Sequence, residues 1–585
     1  MTFGLELSAR EPERPDAADR RRGSRAARLL ARPPIVLGLL VLVQWAALLV
    51  FSVVVRHNGW LFYQGGDQTF FYTSSWTIAG GHIPNTPIGY GWSYILTPIA
   101  RAAGPNLTVA LPAVVLLQTL VLLPLALYCV YAITCRIGGR LLGYVAAAAW
   151  VAVPFAAIPL WDQTYHEKYV EQLLPQAFGL TALGDFPSMV FLLVAALFCV
   201  RALDTRDPLD AVLAGCAAGF AIGIKPANAL FLAGPALAFI AARRRREALS
   251  FGVALLPFLL TLALWKYRGL GHIPIVTPTP HALAVDGRLA TAVGGLPSGL
   301  ELARYIELDW SRLEQNYIDL RGVFWGLPLL QSLPLLGFVA ATRRSWPKAL
   351  LLAGWLGAFL LVKGSSDQAT VDDGTLLRLF IPGFPPLLIL TALVLLLVPI
   401  LVPRIRKVRL QTIPLAAPIR KKTMAVALTV FALVPLLLFA VLPLADRDRV
   451  VSYFDESVNV PVDEGFRISV RRAGGAAVVS WRAQSSPGVR VFYRVFRSRP
   501  VVPALDSTLP PGREGIRCKP YVPAYAGAAD CALEMSVVGV TRSTRFVDNP
   551  PAGPWVYRVG LAANWLDDTS GGDVVLLSKP GHHPA

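Results

Sequence analysis

Charge is what this chain has little of. Of its 585 residues only 16% are Asp, Glu, Lys or Arg, against 54% hydrophobic, and the mean hydropathy is clearly positive. That balance excludes an ordinary soluble enzyme and points to a multi-span membrane protein. Residues suited to metal chemistry are also scarce, with seven His and six Cys. Cys129, Cys135, Cys199 and Cys216 lie in or beside apolar runs without metal-ligand spacing, so no zinc-type motif is present. Acidic residues number 37 against 55 basic ones, a net charge of +18. On a soluble protein that surplus would suggest nucleic acid. Its distribution excludes that partner. The basic residues crowd into alternate loops: Arg20 to Arg22, Arg136/Arg140, Arg201/Arg206, Arg243 to Arg246, Arg343/Arg344/Lys348, and Arg404 to Lys422. This is the positive-inside pattern of a multi-pass plasma-membrane protein, with anionic membrane lipid as the expected partner.

What is there in abundance is apolar sequence. A span needs roughly 20 apolar residues. Runs at 34–55, 107–130, 141–160, 186–203, 209–224, 227–242, 248–265, 322–341, 347–362, 379–402 and 423–444 suit about eleven spans, with the N-terminus cytoplasmic and the C-terminus extracytoplasmic. The pair flanking Lys225 is short, and a count of about nine keeps the same charge alternation. Residues 1–33 read as a disordered basic cytoplasmic tail and 34–445 as the transmembrane domain. The extracytoplasmic loops are 56–106, 161–185, 266–321 and 363–378, and they hold most of the acidic residues of this part. Trp310 and Tyr317 mark an amphipathic helix at the end of the third.

After Asp446 the pattern changes. VVSWRA (478–483), VRVFYRVFRS (489–498), TRFVD (544–548) and WVYRVGLAAN (555–564) alternate apolar and polar residues between Gly/Pro-rich segments, the signature of an all-β sandwich over 450–585. Trp481, then Tyr493-Arg494-Val495, then Asp548 to Gly553 leading into Tyr557-Arg558-Val559 and Asn564 resemble a fibronectin type III domain. The resemblance implies a core Trp481 and a corner-forming Tyr557, with Trp555 in the competing register. The insertion 499–543 departs from a plain domain of this kind. It carries Cys518 and Cys531, which can form a disulfide if this part is exported or can remain free thiols.

The first long loop holds YQGGDQTFFYTSSWTIAGGHIP, residues 63–84. Asp67 there can cap a helix lying at the membrane surface. A carboxylate held in a partly desolvated pocket at that depth can also take a proton from an incoming hydroxyl. A second cluster, 183–230, has an Asp-x-Pro opening one span and a Gly-rich helix ending Ile-Lys-Pro; a third ends in Arg378-Leu379-Phe380-Ile381-Pro382. In this order and topology, with Gly81-His82-Ile83-Pro84, these elements resemble the GT-C superfamily of integral membrane glycosyltransferases, in particular its protein-mannosyltransferase-like branch.

The resemblance implies a GT-C-like fold. It implies inverting transfer of a sugar from a polyprenyl-phosphate carrier to an acceptor at the extracytoplasmic face, whether cell-envelope glycan, lipid or protein. Asp67 takes the general-base role. The family often pairs two acids there, whereas Gln68 follows Asp67 in this chain, which argues against a two-carboxylate or metal-bridged scheme. No cofactor beyond the lipid-linked substrate is expected. A lipid-phosphate leaving group calls for positive charge. Arg378 and Lys225 are the candidates to bind the donor phosphate, with Lys363 a third; each could instead be snorkelling at the interface. Asp162, His166 and Glu167 are candidates for hydrogen-bonding substrate, their spacing fitting no metal motif. Tyr90, Trp92, Tyr94, Trp161 and Tyr165 suit either sugar stacking or the interfacial aromatic belt. Two other functions compete: a transporter or lipid-carrier flippase with an extracytoplasmic binding domain, and a surface binding protein on a membrane anchor. Against the first, no span carries a charge at its centre; against the second, one span would suffice as an anchor.

Overall fold

The structure is a computed structural model that describes residues 32–55, 57–62, 66–161, 174–271, 273, 308–323, 332–366, 369–371, 375–398, 421–446, 449–453, 458–462, 466–500, 513–518, 531–564 and 573–583. Asp162, His166 and Glu167 lie outside the described residues, as do Tyr165 and the tail before Arg32.

The described residues of the membrane region are mainly helical. Its elements are α1 (Pro33–Val54), α2 (Gly66–Ala79), α3 (Tyr90–Ala103), α4 (Leu107–Gly138), α5 (Arg140–Trp161), α6 (Asp185–Thr205), α7 (Pro208–Ile224), α8 (Pro226–Ala241), α9 (Arg245–Leu270), α10 (Trp310–Val323), α11 (Leu333–Thr342), α12 (Trp346–Gly364), α13 (Thr375–Leu379), α14 (Ile381–Leu397) and α15 (Lys421–Val441). Among the described residues α1, α4, α6, α9 and α12 are long and apolar enough to cross a membrane, and six shorter apolar helices accompany them. Each apolar run of the sequence has its helix. The chain is a multi-pass membrane protein with several candidate spans and a C-terminal β region.

Small residues set the packing of α3, α7 and α9. Gly215, Gly219 and Gly223 recur every four residues on α7. A Cβ on Gly215 would run into the Phe251 carbonyl, one on Gly219 would stand 2.8 Å from the Phe258 side chain, and one on Gly223 would stand 2.8 Å from the Tyr90 ring. Close backbone approach of this kind replaces the hydrophobic drive that lipid removes. α7 stops because Pro226 follows. The residue before a proline is pushed out of the helical region, and Lys225 has φ −133° and ψ 112°. Asn228 secures that end by donating from Nδ2 to the Ala221 carbonyl at 2.9 Å.

α2 is buried on nearly every side, Phe70 to Ile78 included. It therefore faces protein all round, not lipid on one flank. Tyr90 and Trp92, readable as belt or sugar-stacking aromatics, are also fully buried. The Trp92 indole donates to the Ala182 carbonyl at 2.9 Å, and Tyr90 packs edge-on against Phe220 and Phe439. Their rings serve the helix core.

The β region forms three sheets. Strands β3 (Ile468–Ala473), β4 (Ala476–Trp481) and β9 (Arg545–Asp548) make one, in the order β3-β4-β9. Strands β5 (Phe492–Ser498), β8 (Ser536–Thr541), β10 (Trp555–Ala563) and β11 (Asp573–Leu577) make a second, in the order β11-β10-β5-β8, with β12 (Gly581–His583) on β10. Every pairing in these two sheets is antiparallel. Trp481 and Tyr493 meet edge-on in the core, their centroids 5.2 Å apart. Tyr557 is fully buried, and its hydroxyl donates to the Asp548 carboxylate at 2.6 Å.

The insertion has its own partner. Strands β6 (Ile516–Cys518) and β7 (Cys531–Leu533) join β1 (Val450–Tyr453) and β2 (Val458–Pro461) in a small sheet, β2-β1-β7-β6. The disulfide Cys518–Cys531 crosslinks its β6–β7 pair. β2 lies against α2, where Thr73 Oγ1 donates to the Asn459 carbonyl at 3.4 Å. Beside it, Ile83 N–H donates to Pro443 O and Ala445 N–H to Ile83 O, both at 2.8 Å. Arg449 stacks over Trp76 and approaches His82 Nδ1 at 3.0 Å. The β region thus sits directly on the helix that carries Asp67.

Candidate active site

Asp67 sits in the first turn of α2. Among the described residues its side-chain partner is the Arg378 guanidinium, not a backbone N–H of its own helix. Arg378 comes from the one-turn helix α13, whose position is set by Asn316 on α10. That amide, itself buried, donates to Gly364 O at 2.8 Å and Ala369 O at 2.9 Å, fastening the loop between α12 and α13. The polar loop KGSSDQATVDDG therefore has an anchor more than 40 residues upstream, which no local pattern announces.

The second acid is Asp185, the first residue of α6. Its Oδ1 accepts from Lys225 Nζ at 2.5 Å, and its Oδ2 stands 3.8 Å from Arg378 Nε. Asp185 is 2% exposed, Arg378 19% and Lys225 21%, whereas Asp67 keeps 41% of its side chain open. The four groups form a chain, Asp67–Arg378–Asp185–Lys225, with the most open member at one end and the most enclosed in the middle. Lys363, in the last turn of α12, lies within electrostatic reach of both Lys225 and Asp185. Among the described residues the cluster brings together three cations, Arg378, Lys225 and Lys363, and two acids, Asp67 and Asp185.

Local structure explains why these residues converge. Gln68 takes the place where a second acid was sought, and its Oε1 accepts from the Ala182 N–H at 3.1 Å. Gln118 donates to the Thr181 carbonyl at 2.6 Å, and Trp92 holds Ala182 from the other side. The segment before Asp185 is thus pinned to α2, α3 and α4. Gly184 completes the seat, since a Cβ there would stand 2.7 Å from the Phe71 ring. On the other flank Gly89 lies directly against the Gly223 and Ile224 carbonyls, bringing the start of α3 to the end of α7 beside Lys225.

The electrostatics of Asp67 follow. Burial works to raise its carboxyl, but the Arg378 and Lys225 charges and the Arg378 hydrogen bond prevail and hold it below the ordinary carboxylate range. Folding is therefore favoured by this group above the unfolded value of about 3.9, and that contribution is lost as pH falls through the lower folded value. Near neutral pH the group is an anion able to accept a proton. Among the described residues no three His, Cys, Asp or Glu side chains gather as a metal site.

No family model and no curated protein matches the chain. Solved structures do. ArnT from Cupriavidus metallidurans bound to undecaprenyl phosphate is similar at 15% identity and a TM-score of 0.39, over 69% of this chain and 71% of that one. The archaeal oligosaccharyltransferase AglB from Archaeoglobus fulgidus, in complex with an inhibitory peptide and a dolichol-phosphate, is similar at 13% identity and a TM-score of 0.39. That match covers 70% of this chain and 56% of the archaeal protein.

Asp67, Arg378 and Lys225, singled out from three separate loops, stand together. Asp185, the acid of the Asp-x-Pro element, joins them; its signal in the sequence is an acid opening an apolar span, where a helix N-terminus favours negative charge.

Proposed function

We propose that the chain is a membrane glycosyltransferase of the GT-C kind, taking its sugar from a polyprenyl-phosphate carrier at the extracytoplasmic face. The observation that carries this is the Asp67–Arg378–Asp185–Lys225 chain, an ionised acid beside two closely held cations at the ends of apolar helices. In this scheme the acceptor hydroxyl oxygen attacks the anomeric carbon while the bond from that carbon to the phosphate oxygen breaks. The hydroxyl proton passes to the Asp67 carboxylate. The phosphate leaves as an anion against Arg378 and Lys225, which supply charge where it develops. A single in-line displacement of this kind inverts the anomeric centre. Asp185 keeps both cations oriented.

About eleven spans, an N-terminus inside and the β region outside complete the topology. In this reading the β3-β4-β9 and β11-β10-β5-β8 sheets belong to a fibronectin type III-like sandwich over 450–585, which the burial of Trp481 and Tyr557 supports. It helps present the acceptor, a role its seat on α2 supports.

A second assignment is favoured by the direct Asp67–Arg378 pair: Asp67 as a positioning residue for the phosphate-binding arginine, not the base. Purified full-length protein in nanodiscs, assayed with a panel of radiolabelled polyprenyl-phosphate sugars, separates the two. A base predicts that Asp67→Asn loses kcat at unchanged donor KM. A positioning role predicts a raised donor KM. Absence of transfer by the wild type from every donor in the panel would refute the transferase itself.

A further inference from the structure

The other ends of the same helices hold a second charged feature that the proposed chemistry does not use. α6 runs 21 residues from Asp185, so its far end is about 30 Å away. There, between the ends of α6, α8 and α11 and the starts of α9 and α12, lies an open cavity of about 540 Å³. Arg206, Arg243, Arg244, Arg344 and Lys348 line it, with Asp204 as the sole acid among the described residues.

Its charges are unevenly committed. Asp204 is already shared by Lys348 at 2.5 Å and Arg136 at 3.3 Å. Arg244 donates to the Leu203 carbonyl at 3.2 Å and stands 3.8 Å from Glu247. Arg206, Arg243 and Arg344 are exposed at the rim and have no acid partner among the described residues. The backbone is unusual at the same place. Only two non-glycine residues among those described have left-handed backbone, Arg206 at φ 58° and Arg243 at φ 54°, and both line this cavity. Each ends a helix, a position where glycine or asparagine is the usual occupant. A glycine would relieve the backbone but would bring no guanidinium.

We propose that this cavity is an anion site that takes a phosphate group, either the headgroup of an anionic membrane phospholipid or a soluble phosphate compound. The guanidinium fork matches phosphate geometry. A basic pocket between spans at the face marked by positive charge is suited to lipid headgroups. Its size is that of a small-molecule site. One acid, already taken by two cations, offers little repulsion to an incoming anion.

The test compares wild-type full-length protein with Arg206→Gln/Arg243→Gln/Arg344→Gln. Arg467→Gln/Arg471→Gln/Arg482→Gln, in the β region, matches the charge loss elsewhere. Native mass spectrometry from nanodiscs of mixed phosphatidylglycerol and phosphatidylcholine reads retained lipid. Thermal melting with added inorganic phosphate or glycerol 3-phosphate reads the soluble source and checks folding. A phospholipid site predicts preferential retention of phosphatidylglycerol by the wild type and the control. The cavity variant then loses that preference by about tenfold or more. A soluble ligand predicts no lipid preference, but a melting shift with phosphate or glycerol 3-phosphate that the cavity variant lacks. Equal behaviour of the wild type and the cavity variant in both measurements overturns the proposal. If the triple variant fails to fold, Arg344→Gln alone, away from the left-handed positions, gives the same reading at smaller amplitude.

Discussion

α6 carries an acid near each of its ends, and the two ends are built in opposite ways. Asp185 is buried, with Lys225 and Arg378 closing on it. Asp204, at the far end, is about one-third exposed and overwhelmed by surrounding arginines and lysine. The residue types are the same at both ends. What differs is enclosure. At the Asp185 end, glycines and hydrogen bonds to the backbone draw four elements close enough to exclude solvent from Asp185, so each charge is oriented by another. At the Asp204 end Arg244 and Lys348 are enclosed, but the Arg206, Arg243 and Arg344 side chains stay at the surface, where they suit a ligand that diffuses to them. A buried ion pair costs desolvation and loses heavily when one partner is removed, whereas an exposed pair contributes little. Perturbation should therefore separate the two ends sharply.

The largest effect is expected from Asp67→Asn, a loss of about 100-fold or more in sugar transfer if Asp67 is the general base. Initial rates with the responsive donor, beside a melting check, measure it; a folded variant with an unchanged rate removes Asp67 from the chemistry. Asp185→Asn comes next. It strands Lys225 in a largely enclosed site and is expected to cost about 2–4 kcal/mol, read as a lowered denaturation midpoint in detergent. The matching Asp204→Asn should cost less, about 1 kcal/mol, because Asp204 itself is one-third exposed although its partner Lys348 is enclosed. Equal costs at the two ends would undo the contrast.

Removing the disulfide as Cys518→Ser/Cys531→Ser should destabilise the β region by about 2–3 kcal/mol, since it closes a short loop. Reduction of the wild type should reproduce that shift in melting of the β region. The pH profile offers the finest test. Asp67 is held low by Arg378, so transfer by the wild type should stay level from neutral pH down through the ordinary carboxylate range. Arg378→Gln leaves the raising effect of burial opposed only by Lys225. The residual activity should then begin to fall at higher pH than in the wild type. An acid limb in the same place in both proteins would show that another group sets it.

Much of this was legible in the linear chain for identifiable reasons. Spans announce themselves because a bilayer requires long apolar runs, so every run found a helix. The strands Ala476–Trp481, Phe492–Ser498, Arg545–Asp548 and Trp555–Ala563 lie where alternation placed them. Ser536–Thr541 was missed, lying inside a segment treated as an insertion. The small sheet was invisible because β1 and β7 pair in parallel across about 80 residues. Gln68 illustrates the limit most clearly. Beside Asp67 it marks a missing acid, and only the fold shows that its amide oxygen holds the backbone leading to Asp185.

By itself the sequence determined that this protein lies in a membrane, where its apolar helices and four of its strands fall, and that Asp67, Lys225 and Arg378 sit at loop ends. Those properties follow from local composition, spacing and charge sign. Tertiary structure decided that these three meet, that Asp185 joins them, and that Tyr90 and Trp92 are core. The physical reason is that enclosure is a property of several elements at once. The Gly215, Gly219 and Gly223 contacts, the Asn316 anchor and the seat of β2 on α2 join residues tens to hundreds apart. No window along the chain contains both partners.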